Sequence, residues 1–277
     1  MKYSRKTFLK LVGTGAVAAG TTTLQGATAL PAPKTPTKLT VGLASYTLRK
    51  LNLDETIAMC QRLNIKHLAL KSMHLPLEST NEEIKAAAAK VRSAGIDLYG
   101  AGVIYMKSEE EVNNAFRYAQ AAEMKVIIGV PNHELLSMVE QKVKATNIKL
   151  AIHNHGPGDK VYPSPQSIYD KIKDMDPRMG LCIDIGHTIR IGLDISENLK
   201  RYKDRLFDLH LKDVNEATEK GYPLEFGRGI IDLPGVLNTL KKIKYTGVMG
   251  LEYEKDGDDP VPGLAESVGY IRGLLDA

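Results

Sequence analysis

The chain alternates, eight times over, between a short β-rich run and a longer segment with helical patterning. Such alternation is typical of an α/β protein with a parallel sheet. Eight units in about 248 residues match the size of a (β/α)8 TIM barrel. A doubly wound sheet is the alternative, but no GxGxxG phosphate fingerprint follows the first run. The runs are 39–46, 67–73, 97–104, 125–130, 149–154, 180–185, 206–212 and 248–254.

The first 29 residues are predicted to be an export signal, with a disordered tail as the alternative. Basic residues precede a short apolar stretch, Leu11–Ala19, and Ala27-Thr28-Ala29 fits a cleavage site. Nine apolar residues are too few to span a bilayer, which needs about 20. Residues 4–10 resemble a twin-arginine signal, with Lys6 in place of the second arginine. This implies a periplasmic or otherwise exported protein.

Removal of the signal changes the charge balance. The full chain has 37 Lys and Arg residues against 33 Asp and Glu, and the signal contributes four basic residues and no acidic one. A nucleic-acid-binding protein carries a net basic surface, so the neutral remainder argues against nucleic acid as a partner. No membrane partner is expected after cleavage. Residues 30–38 are rich in proline and are predicted to be a linker, which leaves 39–277 for the barrel.

Local patterns predict several helix boundaries and two buried thiols. Asn81 is predicted to cap a helix that ends at Gly95, while Ser108 and Asp232 are predicted to open two others. Both cysteines stand in apolar stretches and are predicted to be small buried residues, with a disulfide as the alternative. They are Cys60 and Cys182.

Polar residues stand at the carboxyl ends of the last four runs. Four of them share one height in successive runs: His153, Asp184, His210 and Glu252. Inward residues of adjacent barrel strands converge at the end where barrel active sites lie. Two imidazoles and two carboxylates at one point make a divalent-metal site. Taken singly, each has a structural alternative, such as a core histidine, a strand-end acid at Asp184, or an ion pair of Glu252 with Lys71 or Lys212.

Three further polar residues are predicted to contact a substrate in the same cavity. His155 shares a strand face with His153, and Lys71 and Lys212 stand at the ends of the second and seventh runs. The remaining histidines are weaker candidates, predicted to be surface, helix-start or loop residues: His67, His74 and His133.

The glycine-rich stretch FGRGIID, residues 226–232, follows the seventh run. This region of a barrel sometimes binds phosphate. Because an exported protein rarely meets sugar phosphates, Arg228 is predicted to bind a sugar hydroxyl instead. The alternative is a flexible loop in which Asp232 caps the next helix.

These motifs resemble the xylose isomerase-like TIM barrel superfamily, which includes sugar-phosphate isomerases and epimerases, inosose dehydratases and AP endonucleases. The resemblance covers residues 39–275. Its most specific parts are CIDIGHTIRIG (182–192), DLHLKDV (208–214), FGRGIID (226–232) and GLEYE (250–254). It implies a divalent metal held by Glu, Asp, His and Glu from strands five to eight.

The resemblance also implies roles for individual residues. His187 and Arg190 match positions that contact substrate. His153 stands where the family usually has the strand-five glutamate, so His155 is left to face the substrate. The implied metal ligands are His153, Asp184, His210 and Glu252.

Histidine in place of that glutamate alters the expected chemistry. An imidazole is a softer ligand than a carboxylate, so the set favours Mn²⁺, Co²⁺, Zn²⁺ or Fe²⁺ over Mg²⁺. A ligating imidazole is also a poor base, whereas epimerases of the family use two glutamates on opposite faces of the substrate carbon. His153 therefore argues against symmetric two-base epimerisation.

We expect a divalent-metal-dependent sugar isomerase or epimerase that acts on an unphosphorylated sugar or keto-sugar through an enediolate. Glu252 is the expected base, with His155 or Lys71 as its proton partner. Lys71 or Lys212 would help the metal to stabilise the enediolate. A lyase or hydratase that eliminates a β-leaving group from a keto-sugar or keto-glycoside is the first alternative.

Two other classes of function are weighed against this one. A metal-dependent phosphodiesterase or AP endonuclease is disfavoured by the neutral charge and by the lack of extra His and Asp ligands for a multi-metal cluster. A non-catalytic sugar-binding barrel would require the four clustered residues to be structural. The sequence is compatible with a homo-oligomer.

Overall fold

Eight parallel strands close into a barrel in the computed structural model, which describes residues 38–277. Each strand pairs with the next one in the chain, and β8 pairs with β1. The predicted (β/α)8 fold is confirmed. The predicted export signal and residues 30–37 of the predicted linker lie outside the described residues. The strands are β1 Thr40–Ala44, β2 His67–Leu70, β3 Asp97–Met106, β4 Val126–Pro131, β5 Lys149–His153, β6 Met179–Asp184, β7 Leu206–Leu211 and β8 Val248–Leu251.

Helices connect the strands around the outside of the barrel. Short 3₁₀ turns at Ser45–Leu48, His133–Leu135 and Lys203–Arg205 complete the connections. No helix within residues 38–277 is long and apolar enough to cross a membrane. The helices are α1 Leu53–Arg62, α2 Asn81–Ser93, α3 Glu109–Ala121, α4 Leu136–Thr146, α5 Pro165–Ile172, α6 Ile185–Arg190, α7 Ile195–Arg201, α8 Leu233–Lys242 and α9 Val261–Asp276.

Side-chain caps fix the starts of most of these helices, and α4 and α9 are the ones without such a cap. Ser108 and Asp232 cap α3 and α8, as predicted. The cap of α2 is Thr80 and not Asn81, so that prediction was wrong by one residue. Thr80 accepts the Glu83 amide at 3.3 Å, and the Glu83 carboxylate accepts the Thr80 amide at 2.8 Å. This reciprocal pair requires a glutamate three residues after the cap. Glu83 meets this requirement when Thr80 is the cap, but not when Asn81 is.

Several strands end earlier than their β-rich runs, and for β2 and β8 the difference is three residues. β2 stops at Leu70 and β8 stops at Leu251, so Lys71 and Glu252 are the first residues of the following loops. Their side chains therefore stand at the carboxyl-terminal rim, directly above the apolar layers of the barrel. Most side chains buried below the rim are apolar, but the Asp208 carboxylate of β7 is also buried there, 3.4 Å from Tyr99 OH. Both cysteines are free and buried, as predicted.

Candidate metal centre at the carboxyl-terminal end of the barrel

The structure brings four candidate ligands from four successive strands to one buried point. His153 Nε2 lies 3.1 Å from His210 Nδ1 and 3.4 Å from Asp184 Oδ2. His210 Nδ1 lies 3.0 Å from Glu252 Oε2. One ligand atom from each of the four residues lies within 4.8 Å of the others, and all four residues are buried. We call this group the four-residue cluster.

Strand register explains the convergence. Asp184 pairs with His210 between β6 and β7, and the Glu252 amide donates to Leu211 O at 3.0 Å just beyond β8. Asn154 fastens the end of β5 to β6, because its Oδ1 accepts the Asp184 amide at 3.1 Å. Asn154, which stands between His153 and His155, therefore ties β5 to β6.

The donor atoms of the cluster have the spacing of ligands around one cation. Atoms bound about 2.0–2.2 Å from a common ion lie about 2.9–3.5 Å apart when they are neighbouring ligands. The three distances above fall in that range. Asp184 Oδ2 is also buried, and among the described residues it faces the Lys212 ammonium and His153 Nε2 without a hydrogen bond of regular geometry, which is uncommon for a buried oxygen. The residues therefore fit a divalent cation.

The charge around the cluster also suits a divalent cation. Lys212 Nζ lies 3.1 Å from Asp184 Oδ2, 3.0 Å from Glu252 Oε2 and 3.1 Å from Glu254 Oε1. With these three carboxylates ionised, one ammonium leaves a net charge of −2, and a proton on His210, whose pKa is raised, reduces it to −1 until a metal displaces that proton. Uncompensated buried charge is costly, so a 2+ ion would balance the site.

Neighbouring cations keep the buried carboxyl groups ionised. Burial by itself would raise the pKa of Asp184, but the Lys212 ammonium holds it well below its usual range, assisted by His187. Burial likewise opposes ionisation of Glu252, and His210 with Lys212 brings its pKa well below the usual range. The same carboxylates hold the pKa of the Lys212 ammonium well above its ordinary value despite burial. Both cluster carboxylates are thus in the form that binds cations.

Burial favours neutral imidazoles in the upper part of the cavity. It lowers the pKa of His153 well below its usual value and lowers that of His187 to about 4. His155 shifts in the same direction, with burial as the largest cause. His210 differs, since Cys182 and Glu252 outweigh burial and raise its pKa. A neutral imidazole has the free electron pair that metal ligation requires.

Two residues that are predicted to contact the substrate, His155 and His187, lie beside each other. The rings of His155 and His187 are 5.8 Å apart. Tyr105 OH lies 2.9 Å from His155 Nε2, and the two rings stack. Lys71 Nζ donates to Val103 O at 2.7 Å, and burial lowers the pKa of this lysine. Tyr105 was missed in the sequence because tyrosine at the end of an apolar run gives no chemical signal.

The two predicted substrate-binding arginines make other contacts. Arg228 is exposed and pairs with Glu266 on α9, with Nη2 at 2.8 Å from Oε2. Arg190 donates to Glu219 O at 2.6 Å in the β7–α8 loop. Neither guanidinium is bonded to the four-residue cluster. Their substrate contacts stay predictions.

The β7–α8 loop is held by Asp213, which the sequence analysis missed. Its Oδ2 accepts the amides of Gly227 and Gly229, each at 2.9 Å. Its Oδ1 accepts the amides of Val214 at 2.9 Å and Ile231 at 3.2 Å. The position of Asp213 directly after Lys212 in DLHLKDV was the available signal. The buried carboxylate converts the glycine-rich stretch into a fixed loop.

The three remaining histidines have structural contacts. His74 is buried between Leu51 O and Ser45 O, each 3.0 Å from a ring nitrogen. His67 lies 3.3 Å from the Asp97 carboxylate, at the amino-terminal end of β2. His133 begins a 3₁₀ turn, as predicted, and lies 3.0 Å from Val161 O.

The fold and the cluster define a (β/α)8 barrel protein with a candidate cation site at the carboxyl-terminal rim. The family model described as xylose isomerase-like TIM barrel matches residues 44–274. The chain therefore belongs to the xylose isomerase-like TIM barrel family.

The individual curated relatives share low sequence identity with this chain, over about half of its length. The chain is 27% identical over 149 residues to a protein of Escherichia coli (strain K12) provisionally named L-ribulose-5-phosphate 3-epimerase SgbU, an alignment that covers 51% of each chain. It is 28% identical over 175 residues to the inosose dehydratase of Geobacillus kaustophilus (strain HTA426), covering 55% of this chain and 54% of that one. The chain thus spans about half the length of the curated relatives it matches.

A solved structure supports the fold at greater coverage. The IOLI protein, whose crystal structure holds a zinc atom, is 16% identical with a TM-score of 0.69, covering 85% of this chain and 96% of that one. At this identity the likeness establishes the fold alone.

Proposed function

We propose that the protein is a divalent-metal-dependent isomerase or epimerase of an unphosphorylated sugar or keto-sugar. The observation that carries this proposal is the convergence of four buried donor atoms, all within 4.8 Å of one another, at the barrel end where active sites lie. His153, Asp184, His210 and Glu252 would hold the metal. A bound divalent cation supplies Lewis-acid polarisation of a carbonyl and its neighbouring hydroxyl.

The β7–α8 loop supports a substrate without phosphate. In barrels, amides in this region commonly bind the phosphate group. Here the amides of Gly227 and Gly229 already donate to the Asp213 carboxylate. The guanidinium of Arg228 is paired with Glu266. Since carboxylates already satisfy these groups, we infer that an uncharged hydroxyl face of a sugar enters the cavity.

Three side chains are proposed to handle protons. The ion-pair contacts of Glu252 within the described chain fall on Oε2, which leaves Oε1 to accept a proton from a carbon beside a carbonyl. His155 is held by Tyr105 at 2.9 Å and would return or relay the proton. Lys71, whose pKa is lowered by burial, is the second candidate for this partner. Lys212 and His187 would bind substrate oxygens.

Proton exchange tests the proposed reaction. The purified protein, loaded in turn with Mn²⁺, Co²⁺, Zn²⁺, Fe²⁺ and Mg²⁺, is incubated in D₂O with unphosphorylated ketoses and inososes and followed by NMR. We expect deuterium at the carbon beside the carbonyl, strongest with a transition metal, and at least about 100-fold slower exchange in Glu252→Gln. An absence of exchange and of any new product with every metal contradicts the proposal.

Dehydration is the second candidate function, because one specific observation favours it. The cluster has His153 where a second carboxylate would serve as a base, and its nearest proton-carrying neighbours are imidazoles and lysines. A single carboxylate base with a nearby acid suits β-elimination of water, and one relative is an inosose dehydratase. The D₂O experiment separates the two, since dehydration gives a product one water lighter and isomerisation does not.

A further inference from the structure

Lys212 contacts the same two atoms that face the imidazoles of the cluster. Its ammonium lies 3.1 Å from Asp184 Oδ2 and 3.0 Å from Glu252 Oε2. Those oxygens lie 3.4 Å from His153 Nε2 and 3.0 Å from His210 Nδ1. The lysine is thus a cation beside the position that the four donor atoms surround. Its side chain is only 5% exposed, so solvent does little to screen it.

Two cations that share the same pair of oxygens repel each other strongly. At separations of about 4 Å, unit charges interact by several kcal/mol even when the effective dielectric constant is about 20. The repulsion between the ammonium and a divalent ion is twice as large as that between two unit charges at the same distance. A second partner for the ammonium is already in place, because Oε1 of Glu254, which is outside the four-residue cluster, lies 3.1 Å from Nζ.

We infer that Lys212 is an internal counter-cation that competes with the divalent metal for Asp184 and Glu252, and that Glu254 receives its ammonium when the metal binds. This inference rests on the proposed metal centre. Lys212 then sets the affinity of the site for metal, and Glu254 is a positioning residue that acts through it. After transfer to Glu254 the ammonium stays in the cavity, where it can meet a substrate oxygen.

Metal affinity measures this competition without any substrate. Dissociation constants for Mn²⁺ and Zn²⁺ are obtained by competition with a chromogenic chelator on the full chain, stripped beforehand with EDTA. We expect Lys212→Met to lower the dissociation constant about tenfold or more. Lys71→Met is the matched control, because this lysine lies in the same cavity but donates to Val103 O, and we expect it to change the constant by less than about threefold.

Glu254 is tested by a double-mutant cycle. Glu254→Gln alone should weaken metal binding about three- to tenfold, since the ammonium loses its second partner. The same change in the Lys212→Met background should have less than half of that effect on a logarithmic scale. Equal effects in both backgrounds would mean that Glu254 acts only through its own charge, which overturns its proposed role.

Folding of Lys212→Met is checked by circular dichroism with EDTA and with Mn²⁺, because three carboxylates lose their counter-charge. A variant that folds only when metal is present supports the inference, since the ion then replaces the ammonium; Lys212→Gln provides a second, more polar test. Unchanged or weaker metal binding in both lysine variants overturns the inference while the metal centre stands. Failure of wild type and of both variants to bind either metal overturns the metal centre itself.

Discussion

The two ends of the barrel differ in how fully their polar side chains are hydrogen-bonded. At the carboxyl-terminal rim and on the helix that follows β6, six buried side-chain atoms of the described chain have no hydrogen-bond partner, and they belong to His153, His155, Asp184, His187, Arg190 and His210. At the amino-terminal end, Arg205 donates to four main-chain carbonyls at 2.7–3.1 Å. Beside it, Asp176 receives the guanidinium of Arg178 at 2.8 Å.

The difference separates stability from chemistry. Satisfied polar groups stabilise a fold, whereas buried polar groups without partners cost free energy and are kept where a ligand will meet them. The amino-terminal end therefore reads as scaffold. The carboxyl-terminal rim reads as a candidate ligand site, although the partnerless nitrogens of His153 and His210 are Nδ1 and Nε2, not the two nitrogens that face the cluster.

The largest expected effect is the loss of metal from Asp184→Asn. The amide keeps an oxygen for the His187 N–H that Asp184 Oδ1 accepts at 2.8 Å, but it removes a charged donor from the cluster. We expect metal affinity to fall by more than the about 100-fold typical of losing an outer-shell partner. Unfolding in urea with EDTA should change by less than about 1 kcal/mol. The matched control is Asp97→Asn at the other end of the barrel, which should keep full affinity; equal losses in both variants would contradict the division between the ends.

The converse change is Arg205→Met at the amino-terminal end. Four carbonyls lose a charged donor, so we expect the free energy of unfolding to fall by about 2–4 kcal/mol in urea titrations. Metal stoichiometry of the folded protein should be unchanged. Arg205→Lys, which keeps the charge with fewer donors, should fall between wild type and Arg205→Met. Loss of metal from folded Arg205→Met would show that the two ends are coupled.

The strands and the four-residue cluster could be predicted from the amino-acid sequence, whereas several contacts of the rim could not. The eight strands were predictable because each apolar run is bounded by helical patterning, and inward parity with matched height predicted which four side chains meet. An ion pair of Glu252 with Lys212 was foreseen as the structural alternative, but the contacts of Lys212 with Asp184 and Glu254 were not, because they depend on distances between separate strands and loops. Asp213 was missed for the same reason: its amide partners lie up to 18 residues along the chain.

A smaller effect is expected for Tyr105→Phe. The hydroxyl lies 2.9 Å from His155 Nε2, while the ring is 46% exposed. One hydrogen bond is worth about 1 kcal/mol, so turnover of the substrate found by proton exchange should fall about fivefold. Nitrogen-15 NMR should show a changed tautomer ratio for His155. Tyr222→Phe, a second exposed tyrosine in the β7–α8 loop, is the control and should leave the ratio unaltered; an unchanged ratio in Tyr105→Phe removes the tyrosine from the site.

The smallest effect is a pH dependence at the amino-terminal end. Hydrogen bonds from Arg178 hold the pKa of Asp176 well below its ordinary value of about 3.9. A carboxyl group whose pKa is lower in the folded protein than in the unfolded chain adds stability. That stability is fully present above the unfolded-state pKa and is lost as the pH falls through the folded-state pKa. Urea unfolding of wild type and Asp176→Asn should therefore differ at pH 6 and converge toward pH 2. A difference as large at pH 2 as at pH 6 would contradict this origin.

The Asp213 carboxylate has a consequence for how the loop above the cavity can vary. Its four contacts are to main-chain amides, so they place no demand on most side chains between β7 and α8. Gly227 and Gly229 are exceptions, because an added Cβ would lie 2.5 Å from Tyr270 Cε2 and 2.1 Å from Asp213 Oδ1, respectively. Residues 215–222 can therefore be exchanged as a cassette between related barrels while the anchor stays the same. A chimaera built in this way tests whether the loop contributes to substrate preference, without rebuilding the barrel beneath it.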